Sequence, residues 1–275
     1  MLRYLLTPRW LSYLALAVLF AVVAVLLGNW QYSRHEEKIE RRDTINANYD
    51  ATPATLGSVL DGPDQSLAPR QDWTRVEVTG RYRSQDQLLV RNRPYRSVFG
   101  YEVLVPFEVD GGDGSSDLLV DRGWVPNASS AATLPEVPPA PGGTVTVTGW
   151  LRPSEEDFDR NLPDGQVASI NIDVAETAAG VPLYGAYLEL QDETGTVSEA
   201  RPAPADRPDT GLGVNFAYAL QWWIFSPIGL VLVLVMARRE VRDAEDADLD
   251  TPGRPTPVKE KVGAKKKRIW DDEDF

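Results

Sequence analysis

The residue types that most often carry catalysis or bind metal ions are nearly absent from this sequence. Its 275 residues include no cysteine and one histidine, His35. The missing thiols exclude disulfides, thiol catalysis and thiolate metal sites, and a lone imidazole excludes a histidine metal cage within one chain. Gly-x-Ser-x-Gly and Walker motifs are also absent. The sequence therefore predicts a protein that is not an enzyme, in which His35 is either a haem ligand or an exposed histidine in a charged helix.

Two other groups of polar residues have spacings that need an interpretation. The loop Asp110–Asp117 is rich in acidic residues and glycines, but it lacks the twelfth-position glutamate of a calcium loop and therefore predicts a hairpin turn. Six arginines lie between Arg75 and Arg96. They suit lipid phosphates, haem propionates or a partner's acidic loops, or they pair across strands with residues such as Glu77 and Asp86. The sequence leaves these alternatives open.

The chain is acidic, with 41 Asp and Glu against 28 Lys and Arg and a formal net charge of −13. A general nucleic-acid binder needs a basic face that displaces counterions, so this balance predicts no nucleic-acid partner. The charge is concentrated in residues 28–215, which carry 16 basic and 30 acidic side chains. The whole-chain averages describe a soluble acidic protein, whereas the distribution of charge and hydropathy along the chain does not.

The first structural element that the sequence indicates is an apolar run from Leu11 to Leu27, which contains no charged residue. At about 1.5 Å per residue, a helix of this length nearly spans the ~30 Å core of a bilayer. Trp10 and Trp30 bracket the run, where interfacial aromatic residues belong. No Ala-x-Ala cleavage site follows, which favours an uncleaved anchor over a signal peptide. We therefore predict a first transmembrane helix over residues 11–30.

A second uncharged run covers residues 216–237 and predicts a second transmembrane helix. Ser226 and Pro227 interrupt it, and because proline lacks a backbone donor we expect a kink near Pro227. Gln221 lies beside Trp222 in this run, and Gln31 follows Trp30 at the end of the first. Because a glutamine side chain at this depth needs a partner, we expect the two helices to pair with each other or with another membrane subunit.

Basic residues beside the spans predict the orientation. Arg238, Arg239 and Arg242 follow the second span, and the cluster Lys265–Arg268 comes later, which places the C-terminus in the cytoplasm. Two spans then place residues 1–10 in the cytoplasm and residues 31–215 on the extracytoplasmic side of the cell membrane. The basic residues of 34–42 count against this orientation, but they alternate with glutamates on an expected helical extension. The tail, residues 238–275, has too little apolar content for a core and is expected to be disordered.

The extracytoplasmic domain has the alternation and turn punctuation of a β-rich fold. The predicted strands are residues 74–82, 87–91, 101–109, 118–125, 144–151 and 184–190, with a short helix at 172–180. Glycine- and proline-rich stretches separate them. The sequence thus predicts an antiparallel sheet or small barrel of the α+β type, flanked by N- and C-terminal transmembrane helices.

Several short motifs occur in a fixed order along the chain. They are Gly28-Asn-Trp30-Gln31-x-x-Arg34 with Lys38, Val78-x-Gly80-x-Tyr82, Gly100 with Pro106, Val120-Asp-Arg-Gly-Trp-Val-Pro126, Gly149-Trp-Leu-Arg152 and Asn215-Phe-Ala-Tyr218-Ala-Leu-Gln221-Trp222. In this order, between two apolar spans, they are specific. The chain resembles the surfeit locus protein 1 family, whose central signature is usually written Val-Asn-Arg-Gly-Trp-Val-Pro.

The resemblance implies a non-catalytic membrane factor for the assembly or maturation of haem-copper cytochrome c oxidase, acting near haem a insertion or subunit docking. The implied partners are the membrane subunits of the oxidase and the lipid bilayer, with haem a as a further ligand to test. Two alternatives stay open, a haem a-binding carrier and a permanent accessory subunit of a respiratory supercomplex.

The family motifs also supply the candidate partner-binding residues. These are Trp30, Gln31, Arg34, Arg122, Gly123, Trp124, Asn215, Tyr218, Gln221 and Trp222. Among them, Arg122 and Trp124 are expected to be architectural, at a corner where Gly123 permits a tight backbone path. The family commonly has a histidine at the position of Asn215, and in bacterial members that histidine is associated with haem a binding. Asparagine is a poor iron ligand, so we do not assign haem ligation to Asn215.

Overall fold

The computed structural model describes residues 7–111, 116–130, 133–194 and 201–249. The chain divides into two compact units. The helical unit comprises Met1–Ser33 and Val214–Phe275, and the barrel unit comprises Arg34–Gly213. The expected disorder beyond Leu249 and the basic cluster Lys265–Arg268 lie outside the described residues.

The first helix, α1 (Pro8–Asn48), contains 41 residues and contributes to both units. It begins near the predicted span and continues through the charged segment that follows, as the expected helical extension requires. The second apolar run forms α4 (Asn215–Phe225) and α5 (Ile228–Leu249), which are separated at Ser226 and Pro227. This break confirms the expected kink.

The expected disorder from residue 238 is wrong for its first twelve residues, because α5 remains helical to Leu249. Residues 238–249 are mostly arginine, glutamate, aspartate and alanine. Arginine, glutamate and alanine are good helix formers, so a helix that already exists continues through them without a packed core.

The helices of the helical unit pack through one tryptophan and several small residues. Trp10, Ala17 and Ala24 recur every seven residues on α1 and are all buried. Gly229 on α5 faces Ala17, and Ala237 packs in the same cluster as Trp10. The two apolar stretches therefore run antiparallel, a geometry in which small residues allow close backbone approach.

Both apolar stretches are long enough to cross a bilayer, and their outer surfaces are exposed. In the most apolar 18-residue window of α1, 17% of the residues are buried. In that of the stretch formed by α4 and α5, 11% are buried. A helix in the core of a soluble protein would be mostly buried. The two predicted apolar helices that flank a β-rich domain are thus confirmed, and they indicate membrane association.

Among the described residues of the barrel unit, eight strands and two short helices lie between α1 and α4. In chain order these elements are β1 (Ala54–Thr55), α2 (Leu56–Val59), β2 (Thr74–Tyr82), β3 (Leu88–Tyr95), β4 (Val98–Val109), β5 (Asp117–Pro126), β6 (Val145–Pro153), β7 (Gln166–Val167), α3 (Ile172–Ala179) and β8 (Leu183–Glu193). Single 3₁₀ turns lie at Pro69–Gln71 and Ser84–Asp86. All six predicted strands and the predicted helix are present.

Five strands close into a small barrel in the order β2-β6-β8-β5-β4, because β4 pairs back with β2. The sheet is mixed rather than purely antiparallel, since β8 runs parallel to β5. The chain reaches β8 through α3, and a crossover through a helix allows two strands to run parallel. Strand alternation in the sequence carries no information on strand direction, so this feature was not predictable from it.

The apolar core has one part inside the barrel and one part under α3. Phe107, Val120 and Leu188 are fully buried in the interior cluster. Outside the barrel wall, Ile172 and Ala175 of α3 pack against β3, β4, β5 and β8. Asn171 is the N-cap of this helix, and its Oδ1 accepts the Val174 backbone N–H. Gly180 is the C-cap and has a left-handed conformation.

The C-terminal end of α1 is packed within the barrel unit. Ile45 is fully buried, and Tyr49 stacks on Trp150 with ring centroids 4.2 Å apart. The Trp150 Nε1–H donates to the Tyr49 carbonyl over 2.9 Å. Asn48 Nδ2 donates to two carbonyl oxygens of the segment before β2. These contacts give the charged half of α1 a defined place on the barrel wall.

Candidate functional site

The family-motif residues fall into two groups, one in each unit. The group in the helical unit consists of Trp30, Gln31, Asn215, Tyr218, Gln221 and Trp222. The group in the barrel unit consists of Arg34, Arg122, Gly123 and Trp124, together with the candidate ligand His35. Each group has its own geometry.

A side-chain hydrogen bond joins α1 to α4 within the helical unit. Asn215 Nδ2 donates to Gln31 Oε1 over 2.8 Å. Nearby, the Trp223 Nε1–H donates to Asn29 Oδ1 over 3.2 Å. Gly28 permits this approach, because a Cβ atom there would overlap the Trp223 indole. These five residues form one polar and aromatic connection, the helix junction.

The helix junction accounts for one of the two glutamines that the sequence singles out. Gln31 pairs with Asn215, not with Gln221. Gln221 is exposed on α4, and its side chain makes no hydrogen bond within the described part of the chain. An amide on an otherwise apolar helix is thus left available to a partner.

The helical unit also contains three aromatic motif residues. Tyr218 and Trp222 lie near Gln221 in the sequence, and Trp30 lies on α1. Trp30 is 53% exposed and Tyr218 is 47% exposed. Trp222 is half-buried and contacts Phe225 edge to face, with ring centroids 6.4 Å apart. Large exposed aromatic side chains are typical of interfacial belts and of protein contacts in membranes.

The residues around Asn215 do not fit a haem iron. The Asn215 amide is engaged by Gln31, and the helix junction offers amide and indole groups but no imidazole or thiolate. His35 lies on the part of α1 that belongs to the barrel unit, where it is half-buried. Its neighbour Arg34 pairs with Glu37 over 2.8 Å on the same exposed helix surface. The geometry therefore assigns no axial haem ligand.

Alanine at Asn215 and at Gln31, introduced singly and together, is expected to reveal a coupling energy of about 0.6–1.7 kcal/mol, the range of hydrogen bonds between membrane helices. The measurement is the unfolding free energy of the full chain in detergent micelles. Gln31 and the exposed Tyr218 form the control pair, for which we expect no coupling. A coupling near zero for Asn215 and Gln31 would show that the hydrogen bond adds nothing to the helix pair.

In the barrel unit, Arg122 is fully buried, and both of its Nη atoms have partners. Its Nη2 lies 3.0 Å from Glu193 Oε1, and its Nη1 donates to the Pro138 carbonyl over 3.0 Å. The guanidinium lies over the Tyr82 ring, and the Tyr82 hydroxyl donates to the other Glu193 oxygen over 2.7 Å. Burial and the nearby Glu193 carboxylate raise the pKa of Tyr82. Arg122 is thus a structural group that ties three separate segments together.

Gly123 and Trp124 form the place where the segment after β8 crosses β5. Gly123 has φ +117°, and a Cβ atom there would overlap the Ala203 carbonyl oxygen. Trp124 and Ala203 exchange two backbone hydrogen bonds of 2.8 and 2.7 Å. The Trp124 indole donates to the Arg93 carbonyl and lies against Tyr95. This geometry is compatible with the expected corner, although the role of these residues in partner binding stays a prediction.

Gly123→Ala is expected to lower the unfolding free energy by about 2 kcal/mol, because it combines a left-handed backbone with a direct overlap. The matched control is Gly143→Ala, since Gly143 has φ +79° but open space around its Cβ position. The control should show the backbone strain alone, about 1 kcal/mol. Urea denaturation of both variants measures the difference, and equal losses would contradict a close approach of Ala203.

The six arginines from Arg75 to Arg96 contact residues of the barrel unit itself. Their partners are not the Glu77 and Asp86 that the sequence suggested. Arg83 lies 2.5 Å from Asp117, and Arg96 lies 3.2 Å from Asp206. Arg93 lies between Glu102 and Glu155, at 2.5 and 2.6 Å. Arg75 and Arg81 contact Gln191 and Asp110, and Arg91 lies over Tyr101. These contacts favour the internal alternative over binding of lipid phosphates or propionates.

A row of carboxylates across β4, β5 and β8 was not recognised in the sequence. Asp121 is the register partner of Glu189, and Glu102 lies on the other neighbour of β5. Arg93 contacts Glu102 at one end of this carboxylate row, and Arg152 contacts Glu189 over 3.0 Å at the other. The available signal was an acidic residue between buried apolar ones in two of the three strands, Tyr101-Glu102-Val103 and Leu188-Glu189-Leu190.

Burial changes the protonation of the carboxylate row. It raises the pKa of Glu189 to about 7, in spite of the attraction of Arg152. It also raises the pKa of Asp121 well above its usual range, and repulsion from Glu102 and Glu189 adds to that rise. Burial also raises the pKa of Glu102. A buried row with more carboxylates than guanidinium groups therefore retains protons near neutral pH.

Comparison with known proteins agrees with the motifs in both units. The SURF1 family model matches residues 18–227. An uncharacterized SURF1-like protein of Mycobacterium bovis is 34% identical over 271 residues, which cover 95% of this chain and 96% of the relative. An uncharacterized SURF1-like protein of Mycobacterium tuberculosis has the same identity and coverage.

A more distant relative gives the same result. A SURF1-like protein of Monosiga brevicollis is 26% identical over 234 residues, which cover 79% of this chain and 85% of the relative. The family match spans most of the chain, from within the apolar part of α1 to the break between α4 and α5. It therefore includes the helix junction and the Arg122–Trp124 corner. The chain belongs to the SURF1 family, the surfeit locus protein 1 family that its motifs resemble.

Proposed function

We propose that this protein is a non-catalytic membrane factor for the assembly or maturation of haem-copper cytochrome c oxidase. Family membership indicates the oxidase as the target. The observation that supports the mode of action is the exposed Gln221, together with the exposed aromatic residues Tyr218 and Trp30 of the same unit. A glutamine amide and large aromatic rings on an apolar helix suit a membrane protein partner better than lipid tails. In this proposal the helical unit docks beside a membrane subunit of the oxidase.

The antiparallel helix pair supports a two-span topology with both termini in the cytoplasm. Arg9 near the start of α1 lies 3.9 Å from Glu240 in α5, so the outer ends of the two apolar stretches meet. Arg238, Arg239 and Arg242 follow at the same end. Because basic residues are retained in the cytoplasm, this end is assigned to that side and the barrel unit to the extracytoplasmic side of the cell membrane.

The packing of α1 also supports an uncleaved anchor. Trp10 and Ala17 form a buried cluster with Val233 and Ala237 of α5. Removal of α1 as a signal peptide would expose this seam and leave Asn215 without Gln31. A retained first helix is the arrangement in which the second helix keeps its partner.

The proposal is tested by deleting the gene and complementing it with the wild-type chain. We expect the deletion to lower membrane haem a content and cytochrome c oxidase activity under aerobic growth, and the wild-type chain to restore both. Deletion without any change in either quantity would refute the assembly role. Haem spectra of the purified chain and stoichiometric co-purification with mature oxidase distinguish the carrier and the accessory subunit.

The docking surface is tested by the double variant Tyr218→Ala with Gln221→Ala. It should restore less oxidase activity than the wild type and co-purify less of the oxidase membrane subunits. The matched control is Leu19→Ala, which removes an exposed apolar side chain of α1 that is 60% exposed. Equal complementation by both variants at equal protein levels would exclude this surface as the docking site.

A further inference from the structure

A small pocket opens beside β5 in the barrel unit. Its volume is about 190 Å³. Its lining includes two aromatic rings, three carboxylates and one guanidinium group, those of Tyr95, Trp124, Glu102, Asp121, Asp206 and Arg96. Neither the family motifs nor the proposed function assigns a ligand to this Trp124 pocket.

Asp121 provides an acceptor at the base of the Trp124 pocket. The residue is only 5% exposed. Its Oδ1 accepts the Gly123 backbone N–H over 3.0 Å, whereas its second carboxylate oxygen accepts no hydrogen bond from the part of the chain that the structure describes. Asp121 lines the pocket, so a donor that enters the pocket can bind this second oxygen.

The rim of the pocket already binds a cation that belongs to the chain itself. The Arg96 guanidinium lies 4.9 Å from the Tyr95 ring centroid and 3.2 Å from Asp206. Its side chain is 71% exposed, so this contact is a surface contact that an external group can replace. Tyr95 and Trp124 lie against each other with centroids 5.2 Å apart and form the aromatic wall.

The composition of the pocket suits an organic cation rather than a metal ion. Across residues 7–111, 116–130, 133–194 and 201–249, no group of three His, Asp or Glu side chains is arranged to hold a metal. Calcium and magnesium need six or more oxygen ligands, and aromatic walls offer them none. Ammonium and guanidinium groups instead combine carboxylate hydrogen bonds with attraction to aromatic faces.

We propose that the Trp124 pocket binds a guanidinium or alkylammonium group, with Asp121 as its principal hydrogen-bond acceptor, Tyr95 and Trp124 as its aromatic wall and Arg96 as an internal competitor. The strap at Ala203–Asp206 closes one side, and it reaches this position because residue 123 is glycine.

Ligand binding depends on pH through the groups that face Asp121. These are Glu102 on β4, Glu189 on β8 and Arg93 on β3, together with the Gly123 backbone N–H. Burial and the two carboxylates raise the pKa of Asp121 well above its usual range. A cation binds the ionised form, and its affinity is therefore expected to rise with pH as Asp121 loses its proton.

The test is a titration of the full chain in detergent micelles with Nα-acetyl-arginine amide and with agmatine, followed through the indole N–H resonance of Trp124. The neutral isostere Nα-acetyl-citrulline amide is the negative ligand control. We expect saturable binding of the two cations and none of the isostere. A higher affinity for the capped amino acid indicates a protein side chain as the natural ligand, and a higher affinity for agmatine indicates a free amine.

Two variants and one control locate the site. Asp121→Asn should weaken binding about tenfold or more, because it removes the charge but keeps the shape. Arg96→Ala should strengthen binding several-fold, because it removes the internal competitor. Glu77→Gln, an exposed carboxylate on β2, should leave the affinity unchanged.

The binding experiment uses the isolated chain, so its result does not depend on the oxidase assembly role. Thermal unfolding of Asp121→Asn verifies that the variant folds, which an uncharged residue at this buried position favours. Absence of binding by either cation up to high millimolar concentration would overturn the proposal. So would equal affinity of the wild type and Asp121→Asn, or an Arg96→Ala variant that binds no better than the wild type.

Discussion

Arg122→Met is expected to lower the unfolding free energy of the barrel unit by about 3–5 kcal/mol, the cost of removing one partner from a buried ion pair. The side chains of Arg122 and Glu193 are 1% and 0% exposed, so water cannot replace the lost guanidinium. The variant also loses the donor to the Pro138 carbonyl and the cation over the Tyr82 ring. Arg201 remains 3.7 Å from Glu193, which places the loss towards the lower end of this range.

The cause of this loss can be isolated by neutralising the partner. Arg122→Met combined with Glu193→Gln should recover part of the stability, because the double variant buries no uncompensated charge. The control is Arg81→Met, which removes an arginine that is 55% exposed and 3.9 Å from Asp110. That pair should contribute no more than about 1 kcal/mol. Urea denaturation followed by circular dichroism measures the wild type and all three variants.

A midpoint shift gives a second measure of the same effect. At about 2–4 °C per kcal/mol for a unit of this size, Arg122→Met should lower the melting temperature by roughly 6–20 °C. A double variant that is less stable than Arg122→Met would show that the buried carboxylate is not the cause. A loss below 1 kcal/mol in Arg122→Met would show that water or a rearranged side chain reaches Glu193.

The local elements of the barrel unit were predictable because their sequence periods match their structures. The alternation in Thr74–Tyr82 predicts a strand with the bounds that β2 has. Asn171 and Gly180 give helix α3 its start and end signals. The choice between an open sheet and a closed barrel was not predictable. The pairing of β2 with β4 joins Tyr82 to Phe107 through backbone hydrogen bonds, which leave no mark on side-chain periodicity.

The candidate site was predictable to the same local extent. Glutamines beside tryptophans indicated a polar contact between membrane helices, and Gln31 makes one, but its partner Asn215 is 184 residues away. The motif around Gly123 indicated a tight backbone path, whereas the overlapping Ala203 belongs to a segment without any sequence signal. The buried partners of Arg122 and the carboxylate row depend on which strands become neighbours. Such contacts follow from topology and cannot be inferred from local composition.

The carboxylate row makes the stability of the barrel unit depend on pH in a direction opposite to that of most surface carboxylates. Burial raises the pKa of Glu189 from its ordinary value of 4.5 to about 7. Between these values the unfolded chain is ionised at this position while the folded chain keeps its proton, so folding takes up a proton. Stability is therefore highest at low pH and falls as the pH rises towards and through 7.

Glu189→Gln is expected to raise the unfolding free energy at pH 8 by up to about 3 kcal/mol, since each pKa unit corresponds to about 1.4 kcal/mol. Arg152 keeps its contact with Asp72 at 2.8 Å and its stacking on Trp73, so the substitution leaves no buried cation without a partner. The same substitution should flatten the decline in stability between pH 5 and 8. Glu77→Gln, which removes an exposed carboxylate, should leave that decline as in the wild type.

The test is denaturation of the wild type, Glu189→Gln and Glu77→Gln at pH 5, 6, 7 and 8. The difference in unfolding free energy between Glu189→Gln and the wild type should grow with pH. The opposite outcome, a Glu189→Gln variant that is less stable than the wild type at pH 8, would mean that Glu189 is ionised in the fold and that its pairing with Arg152 outweighs burial. In that case Asp121 would face a full negative charge on its register partner and would bind its proton more tightly. The Trp124 pocket would then need a higher pH to bind cations, so the two experiments constrain each other.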